Sequence, residues 1–567
     1  MARFDSLGDL RGSLRRRLEH VQEQRAYPRF DIREPRHFIL LPNLKAPKAL
    51  NVTYPLLEPF VTVNVHWNAQ KKHLVYEVAE PLLTSQEKTL LKKIAGSLTE
   101  IIDIKISQLQ EPRAALDYLE GKVEIVVDEL DLKVDPQSYL RILYYIYRDF
   151  IGLNEIEALM HDPYIEDIGC SGLNNNIYIT HRKFGSLVTN ISFSDMEVLN
   201  DFVIKLSERC GRYISYAMPL LDGTLPDGSR VQASLSKDVT TKGPTFSLRR
   251  FRKNPFSPVD LIGMGTVSPA VVAYLWLLIE HSASILVAGG VATGKTTFLN
   301  MLSMFIPQER KVVSIEDVRE INIPHENWIP ATTRTGFGMP EASGRRYGEV
   351  QLFDLLKESF RMKPDYVIVG EVRGKEAYVL FQGMASGNPS LGTIHAGSVD
   401  DVMKRLQTPP IDLSPSLIEA LDVVIIMVNA HERGKSARRV KEISEVESIS
   451  EQTKKVHLTK VFAWIPSADD FSDNSGQSLL LRKISFEKGI PYEALMAELE
   501  KRRKIIEWMQ KFNLTEFQDV AAIIDEYYKD PQLVTEWALT NTPPARTKLA
   551  DETWESSTGL RLAGRIK

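Results

Sequence analysis

The sequence predicts an α/β protein of several domains. Two patterns carry this. After residue 259, short apolar runs without polar alternation are separated by helical segments, as in a parallel sheet covered on both faces. Before residue 251, strands alternate apolar and polar residues between turn signals. The length, 567 residues, also exceeds what one core organises.

Composition narrows the function classes. Hydrophobic residues make up 43% and charged residues 25%, a globular balance. Lys and Arg number 70 against 74 Asp and Glu, a net charge of −4. That gives no overall basic field, so no nucleic-acid partner is expected. Cys170 and Cys210 alone form neither a disulfide framework nor a four-thiolate zinc site, which fits a reducing cytosolic setting. The longest apolar run, 271–279, stops at Glu280 and His281. A membrane span needs about 20 such residues. The first residues, Met1 to Asp5, lack the apolar core of a signal peptide. The expected localisation is cytoplasmic, with any membrane contact made through a partner or the surface.

The elements follow in order. Phe4, Leu7, Leu10, Leu14, Leu18 and Val21 recur three and four apart, with Arg11, Arg15, Arg16 and Arg17 between them. This is a basic amphipathic helix, suited to solvent, an acidic partner or an anionic membrane surface. Prolines from Pro28 to Pro59 favour extended chain. Strands are expected at 61–65 and 73–78 and helices at 84–102 and 135–160. Residues 1–135 thus read as an N-terminal α+β accessory region.

Residues 136–251 read as a second α+β domain, with strands at 177–180 and 246–249 and a tight turn at 225–230. Residues 252–258, with Asn254-Pro255 and Ser257-Pro258, form a linker. Residues 259–485 hold the apolar runs 284–288, 311–315, 366–369, 391–394 and 423–428. Residues 486–567 read as a helical C-terminal extension with a polar tail after 542.

One segment carries chemistry outright. Gly289-Gly290-Val291-Ala292-Thr293-Gly294-Lys295-Thr296 fits G-x-x-x-x-G-K-[ST], between an apolar strand and a helix that continues through Thr297. Glycines let backbone N–H groups converge on phosphate oxygens, and the helix offers its N-terminus to the same anion. Lys295 supplies a point charge for the terminal phosphates, and the Thr296 hydroxyl suits Mg2+.

In an open parallel sheet, ligands bind beyond the carboxyl ends of the strands. The run at 312–315 ends in Glu316-Asp317, the run at 366–370 in Glu371 with Arg373 close by, and the run at 391–394 in His395. Phosphoryl transfer to water needs a carboxylate to orient the water, another for the Mg2+ shell and a group that senses the terminal phosphate. Glu371 stands where a Walker B carboxylate belongs, so Thr296 and Glu371 are the candidate metal ligands.

These segments resemble the secretion-superfamily ATPases, the hexameric motors of type II and type IV secretion, type IV pili and the archaeal flagellum. Residues 289–296 resemble their Walker A, 314–320 their aspartate box, 361–373 their Walker B segment and 392–398 their histidine box. Residues 162–168 and 222–230 resemble their N-terminal domain, and the region of Tyr54 and Glu80-Pro81 is closer to archaeal members. The four-cysteine insertion frequent in bacterial type II members is absent here.

The resemblance implies a RecA-like P-loop ATPase domain preceded by a PAS-like domain. It implies a homo-hexamer using ATP and Mg2+ and pushing on a polytopic inner-membrane platform protein. It implies Glu316 as general base, with Asp317 in reserve, and Arg230 and Arg249 as arginine fingers, with Arg250 a third candidate. Guanidinium suits charge spread over a transferred phosphoryl. The alternatives are a RecA-like nucleic-acid translocase or conjugation-type motor, and a nucleotide-binding scaffold without hydrolysis.

Overall fold

The computed structural model describes residues 27–35, 41, 47–102, 112–250, 255–334, 336, 344–432, 435–449 and 456–542. The basic helix expected near the N-terminus, Phe251, residues 252–254 of the expected linker and the polar tail lie outside the described residues. The chain forms two compact units, residues 1–251 and 252–567.

The first unit is built on one nine-stranded sheet. Its strands are β1 (Asn51–Leu57), β2 (Val61–Asn68), β3 (His73–Ala79), β4 (Ile165–Cys170), β5 (Asn176–His181), β6 (Gly185–Ser192), β7 (Leu220–Thr224), β8 (Arg230–Ser234) and β9 (Thr245–Arg249). Their order is β1-β2-β3-β6-β5-β4-β9-β8-β7. Strand β3 pairs with β6 in parallel, Val75 opposite Val188, so one sheet joins the regions expected on either side of residue 135.

Helices α1 (Ser85–Ile101), α2 (Pro112–Glu129), α3 (Pro136–Phe150) and α4 (Met196–Arg209) accompany it. Local chemistry starts them. Thr84 and Glu87 form a reciprocal capping box before α1, and Asp135 caps α3 with Pro136 behind it. Sequence reading missed α2. Its buried residues Ala115, Leu119, Val123, Val126 and Val127 share a helical face, although Gly121 lies mid-helix. The helix expected over 135–160 ends at Phe150. Asn154 takes a positive φ of 49°, and a Cβ on Gly152 would lie 2.5 Å from Glu157 Cδ.

The second unit contains β10 (Ile285–Gly289), β11 (Val312–Glu316), β12 (Trp328–Thr332), β13 (Tyr366–Val372), β14 (Ser390–Ile394), β15 (Val423–Glu432), β16 (Lys435–Ile449), β17 (Val456–Ile465) and β18 (Asp470–Asp473). The order is β12-β11-β13-β14-β10-β15-β16-β17-β18. The first six run parallel. The last three add an antiparallel meander, so the sheet is mixed rather than purely parallel.

The apolar run at 271–279 lies inside α5 (Pro269–Glu280), where every one of its side chains is buried. A helix apolar on all sides is a core element. It packs against α7 (Tyr492–Lys511), and α8 (Phe517–Lys529) and α9 (Pro531–Thr540) complete the C-terminal layer. Ile505, Ile506, Ile523 and Ile524 share one core with Val287 and Ile425, so the helices expected as an extension belong to this unit. Buried Arg502 seals the joint, paired with Glu280 and Glu498 and lying 4.9 Å from the Trp276 ring centroid.

Candidate functional site

Strands β11, β13, β14 and β10 are successive parallel neighbours, so their carboxyl ends share one edge. Glu316 ends β11, Glu371 lies at the end of β13, His395 follows β14, and the glycine loop leaves β10. A bulge between Val369 and Val372 breaks the β13–β14 register at Gly370 and Glu371. Bulges of this kind re-aim side chains at sheet edges.

At Gly289 the loop has room for backbone only. A Cβ on Gly289 would lie 2.4 Å from Thr293 Oγ1 and 2.7 Å from the Met427 carbonyl oxygen. Gly294 takes φ +90° and starts helix α6 (Lys295–Ser303), whose first turn carries Lys295, Thr296 and Thr297. Ala292 also takes a positive φ, 58°. The Gly290 carbonyl accepts from Thr293 Oγ1 at 3.0 Å and from Lys295 Nζ at 2.9 Å. Val291 stands exposed at the tip.

Two residues that no motif pointed to hold the loop from the far side. Asn429 Nδ2 donates to the Val291 carbonyl at 3.4 Å, and Arg438 Nε to the Ala292 carbonyl at 3.1 Å. They lie more than 130 residues downstream, and only strand pairing brings them here.

The ionisable groups form a connected set. His395 Nε2 lies 3.0 Å from Glu371 Oε1. Arg373 pairs with Glu371 and sits 3.5 Å from Asp317 Oδ2. Burial lowers the Lys295 ammonium, against the pull of Glu371 and Glu320. Burial and then the Lys295 charge lower His395, favouring neutral imidazole. Glu316 is buried, and burial raises it to about 7 despite opposing backbone bonds. Its Oε1 accepts from the N–H groups of Glu320 and Ile321, both at 2.9 Å. Its Oε2 has no hydrogen-bond partner among the described residues.

Arg230 and Arg249 lie in the first unit, directly opposite each other across β8 and β9. Arg230 pairs with Asp222 at 3.0 Å and Arg249 with Asp167 at 3.1 Å. Arg250 bonds the Asp162 carbonyl. Strand pairing thus gathers the arginines together, in a different unit from the loop.

These residues fit a phosphate with a hydrated cation. The loop is a cradle that a Cβ at Gly289 would fill, a buried amine reaches the Gly290 carbonyl, and a buried carboxylate oxygen is left over. Among the described residues no group of three or more His, Cys, Asp or Glu could hold a metal by itself. A donor set of Thr296 and Glu371 suits Mg2+, which typically takes few protein ligands and completes its shell with phosphate and water.

A buried strand, a glycine loop and a helix, faced by carboxylates and an imidazole from neighbouring parallel strands, define a P-loop phosphate-binding protein. The chain belongs to the type II/IV secretion system protein family, whose model matches residues 152–459, more than half its length. The uncharacterized protein MJ0900 of Methanocaldococcus jannaschii is 36% identical over 86% of this chain and 90% of its own. The type IV secretion system protein PtlH of Bordetella pertussis is 30% identical over 41% of this chain and 75% of its own. Among solved structures, the ATPase DotB of Legionella pneumophila matches at 17% identity and a TM-score of 0.36, over 60% of this chain and 93% of that one. A likeness that distant carries no functional argument. Among the described residues no helix is long and apolar enough to cross a membrane.

Proposed function

We propose that the chain is a Mg2+-dependent ATPase, a RecA-like motor of residues 259–485 with a PAS-like domain at 136–251, acting as a homo-hexamer. One observation carries this reading. Glu316, Glu371 and His395 end successive parallel strands on the edge that bears the Lys295 loop.

Each residue then has a task. Residues 289–297 bind the triphosphate. Thr296 and Glu371 would hold Mg2+, whose charge would offset that of the phosphates. Glu316 takes the proton of the attacking water at Oε2, while Oε1 stays anchored to the backbone. A carboxylate raised to about 7 is matched to that work near neutral pH. His395, kept neutral, has a single N–H, which serves either Glu371 Oε1 or, turned from it, a phosphate oxygen, without adding charge. Arg373 steadies Glu371 and Asp317. Arg230 and Arg249 supply positive charge to the transferred group.

The work goes to a membrane machine, through a polytopic platform protein at the cytoplasmic face, in type II secretion, type IV pilus-like or archaeal flagellum assembly. Family membership supports this, as does likeness to a protein named for type IV secretion. Phosphate release from Mg2+-ATP is the test. Lys295→Ala should abolish it and Glu316→Gln should cut it to a slow residual rate, and a Lys295→Ala protein hydrolysing at the normal rate would end this reading.

A further inference from the structure

Helix α6 reaches beyond the phosphate loop. Asn300 lies four residues after Thr296, one turn on, so their side chains share a face. Asn300 is buried, and its amide is used on both sides. Nδ2 donates to the Glu320 carbonyl at 3.0 Å, and Oδ1 accepts from the Asn322 N–H at 2.8 Å. The same turn supplies the N–H groups of Glu320 and Ile321 that hold Glu316 Oε1. The Glu316 carboxylate therefore hangs from a backbone turn that is itself fastened to the helix carrying Lys295 and Thr296.

The chemistry selects asparagine. Its planar amide offers a donor and an acceptor together. Aspartate would set an oxygen against the Glu320 carbonyl. Alanine would remove both the donor to the Glu320 carbonyl and the acceptor for the Asn322 N–H. A purely structural tie would serve folding alone. This one joins the two parts of the site whose spacing matters most: the end that grips phosphate and the carboxylate that meets water.

We propose that Asn300 is a positioning residue, fixing the Glu316 carboxylate relative to the phosphate loop by pinning residues 320–322 to helix α6. The proposal rests on the reading of Glu316 as general base. It assigns Asn300 no contact with substrate. Loss of the tie should slow the chemical step and leave nucleotide affinity alone, because Lys295 and the loop keep their own bonds.

The test uses the full chain. Single-turnover phosphate release from Mg2+-ATP gives the rate, and titration with a fluorescent ATP analogue gives the affinity. Asn300→Ala should slow release by about tenfold or more, within the range lost when a general base is misplaced, with affinity within about twofold of the parent. Asn300→Asp keeps the shape and the acceptor for Asn322, so it serves where alanine does not fold, and it should slow release in the same sense. In a Glu316→Gln background, adding Asn300→Ala should change the residual rate by less than about twofold, because the group it positions is gone. An equal proportional loss in both backgrounds overturns the proposal. So does a fall in affinity that matches the fall in rate. Full rate in the Asn300 variants beside a strongly slowed Glu316→Gln protein overturns the Asn300 proposal and leaves the general base standing. Full rate in Glu316→Gln removes the general base itself.

Discussion

Asn429 and Arg438 are cross-strand partners on β15 and β16, and both donate to carbonyls of the phosphate loop, at Val291 and Ala292. Cross-strand partners present their side chains on one face. The hairpin therefore acts as a backstop for a loop whose backbone takes a positive φ at Ala292.

Removing the guanidinium should loosen that backstop. Arg438 is exposed, so its bond to Ala292 is partly screened, and a cost of about 0.5–1.5 kcal/mol follows. Arg438→Ala should weaken nucleotide binding by about twofold to about twelvefold, by the same free-energy conversion. Titration with a fluorescent ATP analogue checks this. Unchanged affinity would mean that the loop holds its shape without β16.

Gly289→Ala tests the cradle from inside. The added Cβ would press on Thr293 Oγ1 and on the Met427 carbonyl, and backbone cannot swing away as a side-chain end can. Overpacking of this kind costs about 1–3 kcal/mol. The variant should unfold at a lower temperature and lose more than about tenfold in nucleotide affinity, as expected when a loop must shift to admit one methyl. A protein with parental binding would show that the loop tolerates the shift.

With Glu316 as the proposed general base, the pH dependence of hydrolysis would follow a carboxyl that burial raises to about 7. A general base works deprotonated, so the rate should climb as pH rises through about 7 and then level off. Single-turnover rates from pH 5.5 to 8.5 check this, with Glu316→Gln as the control that removes the climb. A flat profile in the parent chain would assign the base to another group.

Much of this site was legible in the sequence because it is local. Residues 289–297 form one contiguous loop and helix start, and Glu316, Glu371 and His395 each end an apolar run that reads directly as a buried strand. What escaped was non-local or out of phase. Asn429 and Arg438 reach the loop only through strand pairing. Register shifts at Ile426/Met427, Ile443/Ser444 and Val446/Ser448 interrupt the alternation that would have marked β16 and β17. In α2, tertiary burial of Leu119, Val123 and Val127 overrides the mid-helix Gly121. The break at Gly152 depends on the Glu157 carboxylate, which accepts the Leu153 N–H at 2.7 Å, a contact no periodicity announces.

The first unit carries a titratable clasp of its own. His161 Nδ1 lies 2.8 Å from Glu34 Oε1 and Nε2 lies 2.9 Å from Glu157 Oε1, tying the segment at 27–35 to the body of the unit. Burial alone would lower His161, but bonds to Glu157 and Glu34 outweigh it and raise the imidazole to about 9. Only imidazolium donates from both nitrogens, so a neutral ring leaves one carboxylate without its donor. The folded value lies above the unfolded one of about 6.5, so the stabilisation is complete below about pH 6.5 and is lost as pH rises through about 9. Its size is on the order of 3 kcal/mol. In urea unfolding of the full chain, His161→Gln should lower the midpoint of the first-unit transition clearly at pH 6 and hardly at all at pH 10. An equal deficit at both pH values would mean that His161 contributes through packing and not through its charge.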